Sequence, residues 1–260
     1  MPYRFATERR DYSDYASGRV FYGLPGFPAM PVRLACEMFA RALAFLAAQS
    51  LHSPCTVYDP CCGGAYHLAT LGYLHWSDID AIIGSDVDEE ALSLAQRNLD
   101  LLTPAGIERR IAEIAQMSAA YGKPSHAEAQ ASAEVLRKQL LGLVEEHTVH
   151  CELFRADATD GQALQTKLRG RPVDIVLTDV PYGRRSGWQV PPTAPASSLT
   201  PAGRMLEALL SVISPSTVIA VVADKQQSLA HPAYRRLGRF QLGDRHVVWL
   251  AAQEYVIMNK

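Results

Sequence analysis

Short β-rich runs alternate with helical segments along most of this chain, the pattern of parallel strands joined by crossover helices. Strands are expected at Thr56 to Tyr58, Ala81 to Ser85, His150 to Phe154, Val173 to Thr178 and Thr217 to Ala223, with a terminal pair near Val247 to Ala251 and Glu254 to Met258. Helices are expected at about Ala65 to His75 and Asp88 to Leu101. The second has Asp88 as its cap and Glu89 and Glu90 in its first turn, where the helix dipole favours acids. An amphipathic helix follows Pro31, over Leu34 to Ala48. The stretch from Thr103 to Glu146 is too long for an ordinary connection and rich in Ala, Glu, Gln and Leu, so it reads as a helical insertion beside the sheet, broken at Gly122-Lys123-Pro124-Ser125. Gly183 to Pro201, rich in proline, reads as a loop.

The resulting fold class is α/β, with a Rossmann-like, mostly parallel seven-stranded sheet and helices on both faces. With 260 residues and 48 % hydrophobic composition, a single domain over 1–260 is expected, carrying an N-terminal helical extension over 1–50 and the insertion over 103–146.

Charge narrows the partners. The 25 Lys+Arg against 27 Asp+Glu give a net charge of -2, so nucleic-acid affinity would have to come from local patches. Five cysteines, with Cys61 and Cys62 adjacent, form neither a C-x-x-C pair nor a disulfide framework, which points to a reducing, cytoplasmic setting. The charged N-terminus has no apolar run after it, and Leu34 to Ala48 is too short to span a bilayer, so neither a signal peptide nor a membrane partner is expected. A monomer is expected, and no metal site is visible.

The chemistry concentrates where the expected strands end. Asp59-Pro60-Cys61-Cys62-Gly63-Gly64 is an acid followed by a small-residue turn into a helix, the kind of turn that lets backbone approach a ligand. Asp86-Val87-Asp88 closes the next strand; Asp86, 23 residues after Gly63, suits a pair of ribose hydroxyls. A nicotinamide dinucleotide is disfavoured, because the G-x-G-x-x-G fingerprint is missing and Asp59 would repel a diphosphate. The same acid suits the ammonium group of S-adenosylmethionine (SAM), which leaves the reaction as S-adenosylhomocysteine. Asp157-Ala158 follows the third strand and suits an adenine amino group, and Arg33 suits the cofactor carboxylate or an RNA phosphate. Taken alone, Asp86 and Asp157 also admit the reading of solvated strand-end acids, and Asp88 that of a helix cap.

The fourth strand ends in Asp179-Val180-Pro181-Tyr182. This resembles the motif of class I amino-methyltransferases that reads Asp, Asn or Ser, then Pro-Pro, then Tyr or Phe. An aromatic amine is a poor nucleophile because its lone pair is delocalised into the ring. The Asp179 carboxylate and the Val180 carbonyl can hold its hydrogens, Pro181 stiffens the loop and Tyr182 can stack on the base. Arg184, Arg185 and Trp188 follow as candidates for flanking phosphates and stacking. Arg235, Arg236 and Arg239 form a further basic group that reads as a solvated face. Ring-carbon methylation is disfavoured, since Tyr182 stands where those RNA enzymes carry a cysteine, and Cys61 and Cys62 read as packing residues rather than nucleophiles.

With these motifs assembled, the chain resembles the avilamycin-resistance rRNA methyltransferases of the AviRa type. The resemblance runs through Pro25 to Ala35, Asp59 to Gly63, Ser85 to Asp88, Gly122 to Ser125 and Leu177 to Gly183. It implies SAM-dependent methylation of a guanine base in large-subunit 23S rRNA, free or in the ribosomal particle, within the region where orthosomycin antibiotics bind. Two alternatives share the fold: an amino-group methyltransferase for DNA or for N2 of guanine in another RNA, and a non-catalytic SAM- or RNA-binding protein. Ala65 departs from the family, whose turn has its last Gly there; at a positive φ the extra methyl would cost roughly 1 kcal/mol. Gly64, where the family often has Ser, is expected to ease that crowding by shifting the turn.

Overall fold

The computed structural model describes residues 3–23, 29–51, 54–181, 188 and 199–253. Seven strands form one sheet: β1 (Cys55–Asp59), β2 (Ile79–Asp86), β3 (His150–Arg155), β4 (Ile175–Asp179), β5 (Val218–Asp224), β6 (Tyr234–Leu242) and β7 (Arg245–Ala252). Their order is β3-β2-β1-β4-β5-β7-β6, with the first five parallel and β7 antiparallel to both β5 and β6. The order reverses between β1 and β4, the switch point at which open α/β sheets hold their ligands.

Side chains alternate across the pleat, so each strand feeds two apolar cores. Val57, Ile82, Ile175 and Trp249 face the first, whereas Tyr58, Ile83, Val176 and Val248 face the second. Helices α1 (Val32–Ala47), α2 (Tyr66–Leu74), α3 (Glu89–Asp100), α4 (Pro104–Tyr121) and α5 (Pro124–Leu143) contribute to the first core. Helices α6 (Gly161–Leu168) and α7 (Pro201–Leu209) cover the other face. No helix among the described residues is long and apolar enough to cross a membrane.

Local chemistry sets the boundaries. Asp88 caps α3 by accepting from the Glu90 N–H, and Pro104 opens α4 behind a Thr103 cap. Gly122, left-handed at φ +58, ends α4, and Pro124 starts α5. The insertion is thus a helical hairpin, tied to α2 by the Gln139 amide on the Tyr73 carbonyl.

Helix α1, within the N-terminal extension, forms a layer of the core: Leu34, Met38 and Phe39 are fully buried, and the Trp249 indole donates to the Met38 carbonyl. Two expectations need correction. The partner of the last strand is Tyr234–Leu242; Glu254 to Met258 lies outside the described residues. Arginines at 235, 236 and 239 masked the alternation of β6, since an edge strand tolerates charge where a central strand does not. Pro201 opens α7 behind a Thr200 cap, so the loop ends one residue earlier than expected.

The N-terminal segment is held by charge. Glu37, fully buried on α1, accepts from the backbone N–H groups of Arg4, Phe5 and Ala6 and from the Arg41 guanidinium. Those donors hold the Glu37 carboxyl below its ordinary pKa against the opposing effect of burial.

Candidate active site

Four acids stand at the carboxyl ends of β1 to β4, side by side in the sheet. Between β1 and α2 the chain makes a turn pinned to β2: the Cys62 N–H donates to the Ser85 carbonyl and the Gly63 N–H to Asp86 Oδ2, 2.9 Å each. Gly63 is left-handed at φ +51, and so is Ala65, fully buried at φ 51. The left-handed strain expected at Ala65 is therefore present.

Gly64, beside it in the turn, lies against α3. A Cβ on Gly64 would come within 2.6 Å of Leu94 Cδ2 on α3, so the missing side chain makes room for helix packing. Gly64→Ala should cost about 1–3 kcal/mol by overpacking, and a second change, Leu94→Ala, should remove the clash. Chemical denaturation of the two variants and their double checks this; additive losses would refute it.

Asp86 sits half-buried, its carboxylate also accepting from the Asp88 N–H at 3.0 Å. Burial raises its pKa above the ordinary aspartate value, and the hydrogen bonds from Asp88 and Gly63 only partly offset that. Hydroxyl donors favour the ionised form. Cofactor affinity should therefore rise with pH through the raised pKa of Asp86, level off above it and fall below it. Titration calorimetry in buffers of different ionisation enthalpy would show proton release on binding at the low-pH end; an affinity flat with pH would exclude Asp86 from the site.

Asp59 is enclosed, with no accessible surface. Its Oδ1 accepts from the Cys61 N–H at 2.9 Å, and Oδ2 lies 2.9 Å from Nε2 of His67 on α2, a close pair rather than an aligned hydrogen bond. The direct contact expected between Asp59 and an ammonium group is not available in this geometry, because the carboxylate is turned under the loop. Pro60 is buried behind it. Burial, then the charges of Asp59 and Asp86, push the thiols of Cys61 and Cys62 well above their ordinary pKa, which makes both poor nucleophiles.

At the next strand end Asp157 is half-buried; one oxygen takes the Thr159 N–H and hydroxyl, both at 2.8 Å, which leaves the other for a ligand. Ala158 is buried in the second core. The Val87 carbonyl accepts from Arg155, and Asp88 is committed to its helix cap. Arg33 has a structural role. Placed in the first turn of α1, it donates to the Ala6 and Thr7 carbonyls and lies 4.4 Å over the Tyr3 ring, and so ties down the N-terminal segment.

Asp179 closes β4, and the chain leaves it in a fixed direction. The Val180 N–H donates to the Val222 carbonyl while the Val180 side chain is fully buried, and the Gln227 amide holds the Pro181 carbonyl at 3.1 Å. Arg245, opening β7, lies 3.8 Å from Asp179 Oδ2. Trp188 packs against the second core with its indole N–H buried, an anchor rather than a free stacking surface. Tyr182, Arg184 and Arg185 lie outside the described residues.

Sequence reasoning missed three supporting residues: His67, Gln227 and Asn98. Asn98 is fully buried on α3; its amide donates to the carbonyls of Gly64 and Tyr22, and its oxygen accepts from the Tyr22 N–H. An Asn in a helix pattern gives no sequence signal of this role beyond its presence on the apolar face.

The donor set fits a cofactor rich in hydroxyl and amino groups. Asp86 and Asp157 offer acceptors, and no cation among the described turn residues is placed for a diphosphate. No cluster of three or more His, Cys, Asp or Glu among the described residues could hold a metal ion.

The family model described as rRNA methyltransferase AviRa matches residues 1–245. A 23S rRNA (guanine(2535)-N(1))-methyltransferase of Streptomyces viridochromogenes is 41 % identical over 254 residues, covering 97 % of this chain and 96 % of that one. Two solved structures of the rRNA methyltransferase aviRa from the same organism superpose with TM-scores of 0.84 and 0.85 at 39 % identity, covering 100 % of this chain and 99 % of theirs.

Proposed function

This chain belongs to the rRNA methyltransferase AviRa family, and from that premise we propose that it is a SAM-dependent methyltransferase acting on N1 of a guanine in large-subunit 23S rRNA. The single observation that carries the reading is the acid series at the carboxyl edge, ending in the braced Asp179-Val180-Pro181 loop beside the switch point. One domain spanning the chain supplies it all.

Asp86 would take the ribose hydroxyls and Asp157 the adenine amino group, with the Gly63-Gly64 turn contributing backbone to the site. The bound cofactor supplies a methyl group on a positively charged sulfur. Guanine N1 carries a proton, and its lone pair is spread into the ring. Asp179 accepts a hydrogen bond from that N–H and takes the proton as the new N–C bond forms and the sulfur–methyl bond breaks, its electron pair staying on sulfur as a neutral thioether, so positive charge does not build on the base. The Val180 carbonyl offers a second acceptor to the base edge, and Tyr182 stacks on its face. Arg184 and Arg185 hold flanking phosphates. A guanine already unpaired is favoured, because extrusion from a helix costs a few kcal/mol. A methyl group on N1 blocks a Watson–Crick donor, and where it intrudes on an orthosomycin site it yields resistance to drugs such as avilamycin.

Incubation with methyl-labelled SAM and unmodified 23S rRNA, with tRNA and DNA as controls, tests the reading. Label at N1 of one 23S guanine is expected. Label confined to tRNA or DNA would replace the substrate, and SAM binding with no transfer to free rRNA or ribosomal particles would replace catalysis with a binding role.

A further inference from the structure

Strand β6 is one edge of the sheet, and Arg235, Arg236 and Arg239 on it are all exposed. None of the three forms an ion pair with a described residue, whereas Arg109, Arg155 and Arg171, likewise exposed, each do; the other exposed arginines without one, Arg4, Arg9 and Arg169, are not grouped on a strand. In a chain of net charge -2 such an uncompensated group is a local feature. The field of Arg239 reaches the next strand: burial lowers the pKa of His246, and Arg239 lowers it further.

The backbone adds an independent observation. In a regular strand, residues three apart point to opposite faces. Between Arg236 and Gly238 the register against β7 shifts, so that Arg236 lies opposite Leu250 and Arg239 opposite Val248. Leu250 and Val248 both belong to the second core. The irregularity therefore turns two arginines to one face, about 7 Å apart along the strand. Without it Arg239 would turn toward the first-core face, where Phe240 and Trp249 pack. Bulges at sheet edges re-aim side chains in this way.

We propose that this edge is a second rRNA contact, in which Arg236 and Arg239 grip neighbouring backbone phosphates and Arg235 widens the grip from the other face. The proposal rests on rRNA being the substrate. β6 runs toward the carboxyl edge and turns at Gly243 into β7, whose first residue, Arg245, adjoins Asp179. RNA leaving the site along this hairpin meets Gln241, then Arg239, then Arg236. Phosphate contacts of this kind position the substrate and carry no sequence information. Charge on an edge strand also deters sheet-to-sheet pairing, but that role needs no shared face.

The test compares wild type with an Arg236→Gln/Arg239→Gln double variant by filter binding to 23S rRNA between about 50 and 200 mM salt. Loss of two phosphate contacts should weaken binding about tenfold or more and flatten the slope of log affinity against log salt by about 1.4–1.8. KM for RNA should rise, with kcat at saturating RNA, SAM affinity and Tm unchanged. Arg236→Lys/Arg239→Lys should restore most of the affinity. An active wild type whose double variant binds with the same affinity and slope, or merely aggregates, overturns the edge contact. A wild type that binds SAM but neither binds nor labels rRNA overturns the substrate reading, and the edge contact with it.

Discussion

Asp179→Ala should lower kcat by about 10²-fold or more while leaving SAM affinity and Tm near wild type. Loss of one preorganised polar contact costs about 10²–10³ in rate where that contact acts mainly in the transition state. The loop around Asp179 is braced independently of its side chain, through the Val180 N–H on Val222 and the Gln227 amide on Pro181, so removing the carboxylate should not collapse the loop. Asp179→Asn keeps an acceptor oxygen but cannot take the N1 proton, and should lie between the two. Its deficit should shrink at higher pH, where the base sheds N1–H without help. Single-turnover transfer to 23S rRNA, alongside SAM titration, checks both variants; normal turnover in Asp179→Ala would remove the carboxylate from the chemistry.

Asn98→Ala should have the largest effect on stability, about 2–4 kcal/mol. It strips partners from three backbone groups at once: the carbonyls of Gly64 and Tyr22 and the Tyr22 N–H. Each buried group left unsatisfied costs about 1–3 kcal/mol, less where water enters the vacated space. The Tyr22 ring, between the guanidinium groups of Arg97 at 3.8 Å and Arg110 at 4.2 Å, should loosen with its backbone. SAM affinity should fall as well if the Gly63-Gly64 turn lines its site, because Asn98 ties that turn to the N-terminal segment. Denaturant unfolding followed by SAM titration reads both effects; an unchanged midpoint would show that the three groups find other partners.

The strands from β1 to β5 and the insertion were legible because parallel buried strands read as short apolar runs and their connecting helices carry caps and breakers in sequence. β6 was not, since its outward residues are arginines and its pattern is interrupted by the register shift. At the site, the acids were found because strand-end position can be inferred once the strands are. What those positions look toward was not legible: Arg33 holds the N-terminal segment, and Asp59 is enclosed beside His67.

By itself the sequence determined the layered α/β plan, the order of the acids along one sheet edge and, through its motifs, the family. Each of these follows from local signals, such as periodicity, caps and strand-end residues, that need no knowledge of distant contacts. Tertiary structure alone decided which polar groups remain available. Asp59 is closed off by a residue on α2. Asn98 bridges segments 76 and 34 residues away. Hydrogen bonds and burial between parts remote in sequence set those outcomes, and a residue's type does not reveal which remote partner reaches it first.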